Sequence, residues 1–324
     1  MRRRGSTIGS ATITSVKPAS VPPVLLLGFN RPDSFRTVID SLRQHAPPIV
    51  YVSLDGPREG HPTDRVRVNE CKSEVDRIDW SPSLHTNFRE SNAGLKIAVP
   101  AAVTWALEDH DSVIVIEDDV IVGPDFLDFA STCLDMYRDR DDIWHISGYN
   151  VVPEQHLAAP NSPARLSRFP ESIAWATWKR AWEHYDPALS WAEEASTSDL
   201  RQVLGSNAGA LRWKQIFRDV RRQRVSTWAY RWIGSMWSQN AYCISPNRNL
   251  TTYAGYADGT HTRRSARWQE LPVEPVPDGP LDGSIALDLI ADRYLGRNVF
   301  RGTVPGVVLG VPESVALEVL RRRG

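Results

Sequence analysis

The chain has 324 residues, 41 % of them hydrophobic and 24 % charged, with a formal net charge of -1. That balance is ordinary for a soluble globular protein and provides no global basic field for nucleic acid. Cys71, Cys133 and Cys243 form neither a zinc pattern nor a disulfide framework, which fits a reducing compartment, and no apolar run is long enough to span a membrane.

Residues 1–20 open with Met1-Arg2-Arg3-Arg4 and lack the apolar core of a signal peptide. They read as a disordered basic tail, whose one membrane contact would be a weak peripheral hold on anionic lipid. Val24-Leu25-Leu26-Leu27 is a first buried strand, broken by Gly28-Phe29-Asn30-Arg31-Pro32. Asp33 or Ser34 then caps a helix with Phe35, Val38, Ile39 and Leu42 at helical spacing. A second strand, 49–54, ends at Asp55-Gly56-Pro57. A helix over about 66–78, a short strand over 84–88, a helix over 98–107 and a strand over 113–116 follow. This alternation predicts a parallel sheet with right-handed crossovers, whose ligands bind at the carboxyl ends of the strands. Arg31, Asp55 and Glu117-Asp118-Asp119 all fall at those ends.

The acidic triplet is the strongest single signal. Three consecutive carboxylates after the apolar run Val113-Ile114-Val115-Ile116 repel one another unless a cation or hydrogen-bond donors offset the charge. Carboxylate oxygens select hard divalent ions, Mn2+ or Mg2+. The plainer reading, acids capping the next helix, is already served by Asp125.

Beyond residue 150 prolines, tryptophans and loops dominate, with helices expected over 176–184, 199–203 and 211–222. Nine of the 12 tryptophans lie there. Isolated tryptophans are core residues, but a cluster also suits sugars, whose C–H faces pack on aromatic rings. Pro272, Pro275, Pro277 and Pro280 mark a linker, and a last helix is expected from Glu313.

The segment Ile116-Glu117-Asp118-Asp119-Val120-Ile121-Val122-Gly123-Pro124-Asp125-Phe126-Leu127 resembles the metal-binding segment of the N-acetylglucosaminyltransferase I family. Leu26 to Arg31 is similar to that family's first nucleotide-contacting loop, and Val52-Ser53-Leu54-Asp55-Gly56 to the strand whose aspartate meets uracil. Ile143 to Asn150 resembles the strand after the metal helix, Phe169 to Trp175 the acceptor segment, and Asp258-Gly259-Thr260-His261 a late loop over the phosphates. The resemblance runs from about residue 22 to 262. It implies a GT-A, Rossmann-like α/β fold: a mixed, mainly parallel sheet flanked by helices, with a Trp-rich acceptor-binding half. It also implies a nucleotide-diphospho-sugar donor (UDP-linked, with N-acetylglucosamine as the sugar), a glycan or glycoconjugate acceptor, and an inverting displacement. The chain then divides into the tail 1–20, a nucleotide-sugar-binding half 21–150, an acceptor half 151–270 of the same domain, and a linker with C-terminal segment 271–324.

On this reading Asp119 holds the metal, with Glu117 and Asp118 as further ligands or orienting neighbours. Asp55 meets base or ribose, Arg31 a phosphate or the base edge, and His261 the phosphates or the metal shell. Asn92 and Lys96 replace the family's nucleotide-side histidine as donor contacts, although Lys96 reads equally as a solvated helix residue. The family's catalytic aspartate lies in a Trp-Asp-Asp-Trp segment. Here Trp191-Ala192-Glu193-Glu194 offers Glu194, then Glu193, as the base, while Trp228-Ala229-Tyr230-Arg231-Trp232 has no acid. Exposed helix acids are the plainer reading of both glutamates. Trp175, Trp178 and Trp228 are candidates for an acceptor platform. The missing membrane anchor fits a cytoplasmic, at most membrane-peripheral, enzyme of polysaccharide or glycoconjugate synthesis. Two alternatives stand beside this one. A sugar nucleotidyltransferase would carry a Gly-rich loop where only Gly28 is found; an inactive GT-A-like scaffold would bind glycan or protein without turnover.

Overall fold

The structure is a computed structural model and describes residues 21–253, 271–281, 285–304 and 307. Strand β1 (Val24–Gly28) lies between β2 (Ile49–Leu54) and β4 (Ser112–Glu117), parallel to both, with Leu26 opposite Val52 and Ile116. Beyond β2 comes β3 (Ser83–Phe88), also parallel. Val24, Leu25, Leu26, Val50, Val52 and Val113 to Ile116 are fully buried. Helices cover both faces of the central strands, so β1, β2 and β4 are apolar along most of their length, whereas the edge strand β3 is polar and largely exposed. The connecting helices are α1 (Pro32–Arg43), α2 (Asp64–Glu74) and α3 (Leu95–Ala106). On α1, Phe35, Val38, Ile39 and Leu42 form the buried stripe their spacing predicts.

The sheet continues in the order β3-β2-β1-β4-β8-β6-β9-β7. Strands β6 (Ile143–Ser147) and β9 (Tyr242–Pro246) run with β4; β8 (Trp175–Trp178) and β7 (Ala164–Ser167) run against it. The sheet is therefore mixed and mainly parallel, as expected. A two-stranded ribbon pairs β5 (Val120–Val122) with β10 (Thr251–Tyr253) directly after the acidic turn. Helix α4 (Phe126–Met136) packs on β4, β6 and β8. One buried apolar cluster runs from Val24 to Leu295, so both halves share a core.

The helix expected over 176–184 is corrected. Trp175-Ala176-Thr177-Trp178 is the inserted strand β8, and only Lys179–Trp182 turns helical, as α5. Two parallel strands, β4 and β6, flank this segment and supply ladders on both sides, and that pairing overrides the local helical reading. The helices expected over 199–203 and 211–222 are found as α7 (Thr197–Leu204) and α8 (Asn207–Arg221), preceded by the short α6 (Trp191–Glu194) and followed by α9 (Ala229–Ser238). The proline-rich stretch is tied to the body rather than free. Glu274 N–H donates to Asn249 O at 2.9 Å, Val276 N–H to Asp125 Oδ2 at 2.9 Å, and Tyr137 OH to Leu281 O at 2.7 Å. The tail 1–20, His261 and the helix expected from Glu313 lie outside the described residues. Among the described residues no helix is long and apolar enough to cross a membrane.

Candidate active site

Where β1 and β4 end, the chain turns and its charged side chains meet. Phe29 N–H donates to Asp118 Oδ2 at 3.0 Å, and Arg31 Nη1 donates to both Asp118 Oδ1, at 3.2 Å, and Asp119 Oδ2, at 2.8 Å. One guanidinium thus bridges two members of the triplet, 87 and 88 positions away in sequence. Asp118 is buried and Asp119 is partly open, with 26 % side-chain exposure. Burial, reinforced by its two acidic neighbours, pushes the Glu117 carboxyl up to about 8. Burial raises Asp118 to about 6 against the pull of Arg31. For Arg31, burial pulls downward, but Asp118 and Asp119 outweigh it and the guanidinium is held above its usual value.

The loop carrying Arg31 is anchored a second time. Asn30 Nδ2 donates to Asp64 Oδ1 at 2.8 Å, and Arg58 donates from Nε to Asp64 Oδ2 at 2.6 Å and from Nη2 to Oδ1 at 3.0 Å. The Arg58 hydrogen bonds hold the Asp64 carboxyl far below its usual range despite burial. The same guanidinium lies over the Phe29 ring, 5.4 Å from its centre. Sequence reasoning missed Arg58 and Asp64; a buried aspartate opening an exposed helix carries no distinguishing mark.

Asp55 faces the neighbouring loop. Its Oδ1 accepts from Gly56 N–H and Ala93 N–H, both at 2.9 Å. Its Oδ2 accepts from Asn92 Nδ2 at 3.0 Å and Gly94 N–H at 2.8 Å. A carboxylate offers about four acceptor positions, and four donors of this protein match them. A side chain on Gly56 would collide with the backbone of Ser91 at 2.5 Å, so only glycine allows this approach. Asn92 also donates to Gly56 O, and Lys96 is half-buried in the first turn of α3. Asp55 and Asn92 therefore belong to one loop cluster, with Lys96 just beyond it in α3, and Asp55 N–H donating to Gly28 O at 3.0 Å joins the cluster to the end of β1.

Glu193 and Glu194 stand elsewhere. Both are exposed on α6, which packs on α8 and α9; Glu193 is ion-paired with Arg221, and none of the described contacts joins either to the strand-end cluster. Trp175, Trp178 and Trp228 are 0, 2 and 2 % exposed, so they are core residues and offer no ring face to a sugar. Trp175 stacks between His145, centre to centre 5.1 Å, and Trp228, at 5.0 Å.

A polar cluster lies at the carboxyl end of β6, within the segments 143–150 and 169–175 that the resemblance singled out, although no single residue of it stood out in the sequence. Trp232 Nε1–H donates to His145 Nδ1 at 3.2 Å. Indole nitrogen can only donate, so the proton of the neutral imidazole sits on Nε2 and is donated to Glu171 O at 3.1 Å. Burial keeps His145 neutral by lowering its pKa to about 3. Glu171 N–H donates to Ser147 Oγ at 3.1 Å. The Glu171 carboxylate Oε2 is buried with no hydrogen-bond partner among the described residues.

A sequence model described as the GNT-I family matches residues 4–195. An alpha-1,3-mannosyl-glycoprotein 2-beta-N-acetylglucosaminyltransferase from Arabidopsis thaliana is 23 % identical over 191 residues, 55 % of this chain and 42 % of that protein, so the chain spans less than half of that relative. Among solved structures, a mannosyltransferase from Pyrobaculum calidifontis in complex with GDP-Man and Mn2+ aligns over 68 % of this chain and 74 % of that one, with 13 % identity and a TM-score of 0.35. Glucosyl-3-phosphoglycerate synthase from Mycobacterium tuberculosis, in complex with Mn2+, UDP and glucosyl-3-phosphoglycerate, aligns over 52 % of this chain and 59 % of its own, with 17 % identity and a TM-score of 0.31.

Proposed function

The chain belongs to the GNT-I family, and from that premise we propose that it is a glycosyltransferase moving a sugar from a nucleotide-diphosphate donor to a hydroxyl of a glycan or glycoconjugate. The observation that carries the reading is the bridge from Arg31 to Asp118 and Asp119 at the joint ends of β1 and β4. Ligands of such sheets bind there. The finer reading is a UDP-linked donor, UDP-N-acetylglucosamine, with inversion at the anomeric carbon.

The donor set fits a hard divalent ion. Asp118 and Asp119 share one guanidinium with Glu117 beside them, and burial first, then repulsion among the acids, raises the Glu117 and Asp118 carboxyls. Among the described residues no three aspartate, glutamate, histidine or cysteine side chains are grouped so as to hold a metal ion by themselves. The protein's share is then one or two carboxylates, Asp119 first with Glu117 and Asp118 beside it, as is usual where phosphates complete the shell. Mn2+ or Mg2+ held there would neutralise charge developing on the departing diphosphate. Arg31 orients the two aspartates and sets its positive charge beside the place proposed for the diphosphate. Asp55 fixes the 92–94 loop, which presents Asn92 and Lys96 to the donor.

The test is thermal stabilisation by UDP, GDP, TDP and CMP, each with and without Mn2+. A ligand that binds only the folded state raises the melting temperature by mass action. A metal-dependent shift with one nucleoside diphosphate is expected in the wild type and is expected to vanish in Asp119→Ala with the fold intact. If no nucleotide shifts the wild type under either condition, the reading fails. Nucleotide binding without cleavage of any nucleotide sugar would leave the inactive scaffold, which the acid-free segment from Trp228 to Trp232 keeps in contention.

A further inference from the structure

We propose that Glu171 is the proton acceptor of the transfer: its carboxylate takes the proton of the attacking hydroxyl at the carboxyl end of β6. This rests on the glycosyltransferase reading above and adds the residue that reading lacks.

Glu171 stands on the same rim as the acidic turn. Strand β8 runs antiparallel between β4 and β6, with Trp175 opposite Val115 and Ser147. The loop that enters β8, which contains Glu171, therefore lies at the ends of the two strands that finish in Glu117 and Ser147. Backbone hydrogen bonds make this rim continuous. Gly148 N–H donates to Ala174 O at 2.7 Å, Leu250 N–H to Gly148 O at 3.1 Å, and Gly123 N–H to Leu250 O at 2.8 Å. Gly123 follows directly on the ribbon strand that leaves the acidic turn.

Two side chains on one face of β6 clamp the peptide of Glu171. His145, 0 % exposed and fixed in its tautomer by Trp232, binds the carbonyl; Ser147, also 0 % exposed, binds the N–H. Ala174, three residues on, is held at φ 43, a left-handed conformation alanine rarely adopts. Such fixation of the backbone is what keeps a functional side chain in one place.

The side chain itself is left without a partner. Glu171 Oε2 is buried and unpaired among the described residues, and so is Nε of Arg165, on β7. The rest of the Arg165 guanidinium donates to Pro246 O, Asn247 Oδ1 and Asn150 Oδ1. Its charge reaches Glu171, lowering a carboxyl that burial raises to about 8. A hydroxyl complements this arrangement, because it donates one proton and can accept a hydrogen bond. In the step, the acceptor oxygen forms a bond to the anomeric carbon. The bond from that carbon to the phosphate oxygen breaks, its electron pair leaves with the nucleoside diphosphate, and the hydroxyl proton passes to Glu171.

The test compares wild type with Glu171→Gln, an isosteric change, using UDP-N-acetylglucosamine with Mn2+ and water as the acceptor. The expected result is unchanged Mn2+-dependent UDP binding and a fall in donor cleavage of at least ~100-fold, the usual worth of a general base. Wild-type cleavage is expected to rise with pH toward 8, a limb the variant lacks; Glu171→Asp should retain the limb at reduced rate. A purely structural role would lower the melting temperature and leave the limb in place. Cleavage by Glu171→Gln within 5-fold (roughly) of wild type, with its pH limb intact, would overturn the proposal while leaving the glycosyltransferase reading standing. Wild type that neither binds UDP nor cleaves the donor would remove both.

Discussion

In the half built on β1 to β4, parallel strands finish side by side, and each turn that follows carries charge next to an apolar run. Arg31, Asp55 and the triplet are all visible where the hydrophobic pattern stops. The half built on β6 to β9 is different. Its strands run in both directions, most of its described tryptophans are core, and buried polar side chains meet there from distant segments. In the first half the carboxylates are matched, Asp118, Asp119 and Asp64 by arginines and Asp55 by four neutral donors. In the second, neutral side chains fix the backbone of Glu171 and leave its buried Oε2 without a partner among the described residues. Charge that solvent can reach needs only a partner, whereas a polar group inside must have its hydrogen bonds satisfied by the fold.

The contrast can be broken most forcefully at Trp232. It is 1 % exposed, stacks near Trp144 and Trp182, and orients His145. Trp232→Ala should cost about 3–5 kcal/mol, read as a melting temperature lower by roughly 10 °C. Metal-dependent nucleotide binding should persist at temperatures where the variant is folded. Loss of nucleotide affinity in the folded variant would mean that the two halves are not separable in this way.

Asp64→Asn is the converse. It weakens the hold of Arg58 and Asn30 on the loop that carries Arg31, at a cost of about 1–3 kcal/mol. Nucleotide affinity should fall while donor-independent properties of the C-terminal half stay unchanged, which calorimetric titration with UDP and Mn2+ would measure. The pH dependence follows from the depressed carboxyl. The folded protein binds this proton less readily than the unfolded chain, so the contribution is present above the usual value of 3.8 and is lost as the pH falls below it. Acid melts of the variant should show a shallower decline than wild type in that range.

Glu171 has the opposite sign. Its carboxyl is raised from 4.5 to about 8, so the folded state holds the proton more tightly and stability declines as the pH rises through that window. Arg165 moderates the effect from β7, and the neutral His145 faces the Glu171 backbone. Glu171→Gln should therefore melt higher than wild type near pH 9, by a few degrees at most, with the two curves merging toward pH 5. The smallest change is Ala174→Gly. Relief of the left-handed alanine is opposed by a more flexible unfolded chain, so a gain of no more than ~1 kcal/mol is expected in a thermal melt.

The amino-acid sequence by itself determined the four-strand parallel half and the place of its charged turns. A strand covered on both faces, as β1, β2 and β4 are, has to be apolar along its length, and a turn has to break that run, so both are written locally. The acidic triplet, the α1 stripe and the most specific segment of the family resemblance came from the same short stretches. Tertiary structure alone decided that Trp175 to Trp178 is a strand, that Trp175, Trp178 and Trp228 are core, that four donors of the protein match Asp55, and that His145 and Ser147 clamp Glu171. Each of these depends on partners that are remote in sequence, 87 positions for Trp232 with His145 and 26 for His145 with Glu171. The spacing of residues along the chain records which side chains share a face of one element; which faces then meet is settled by packing.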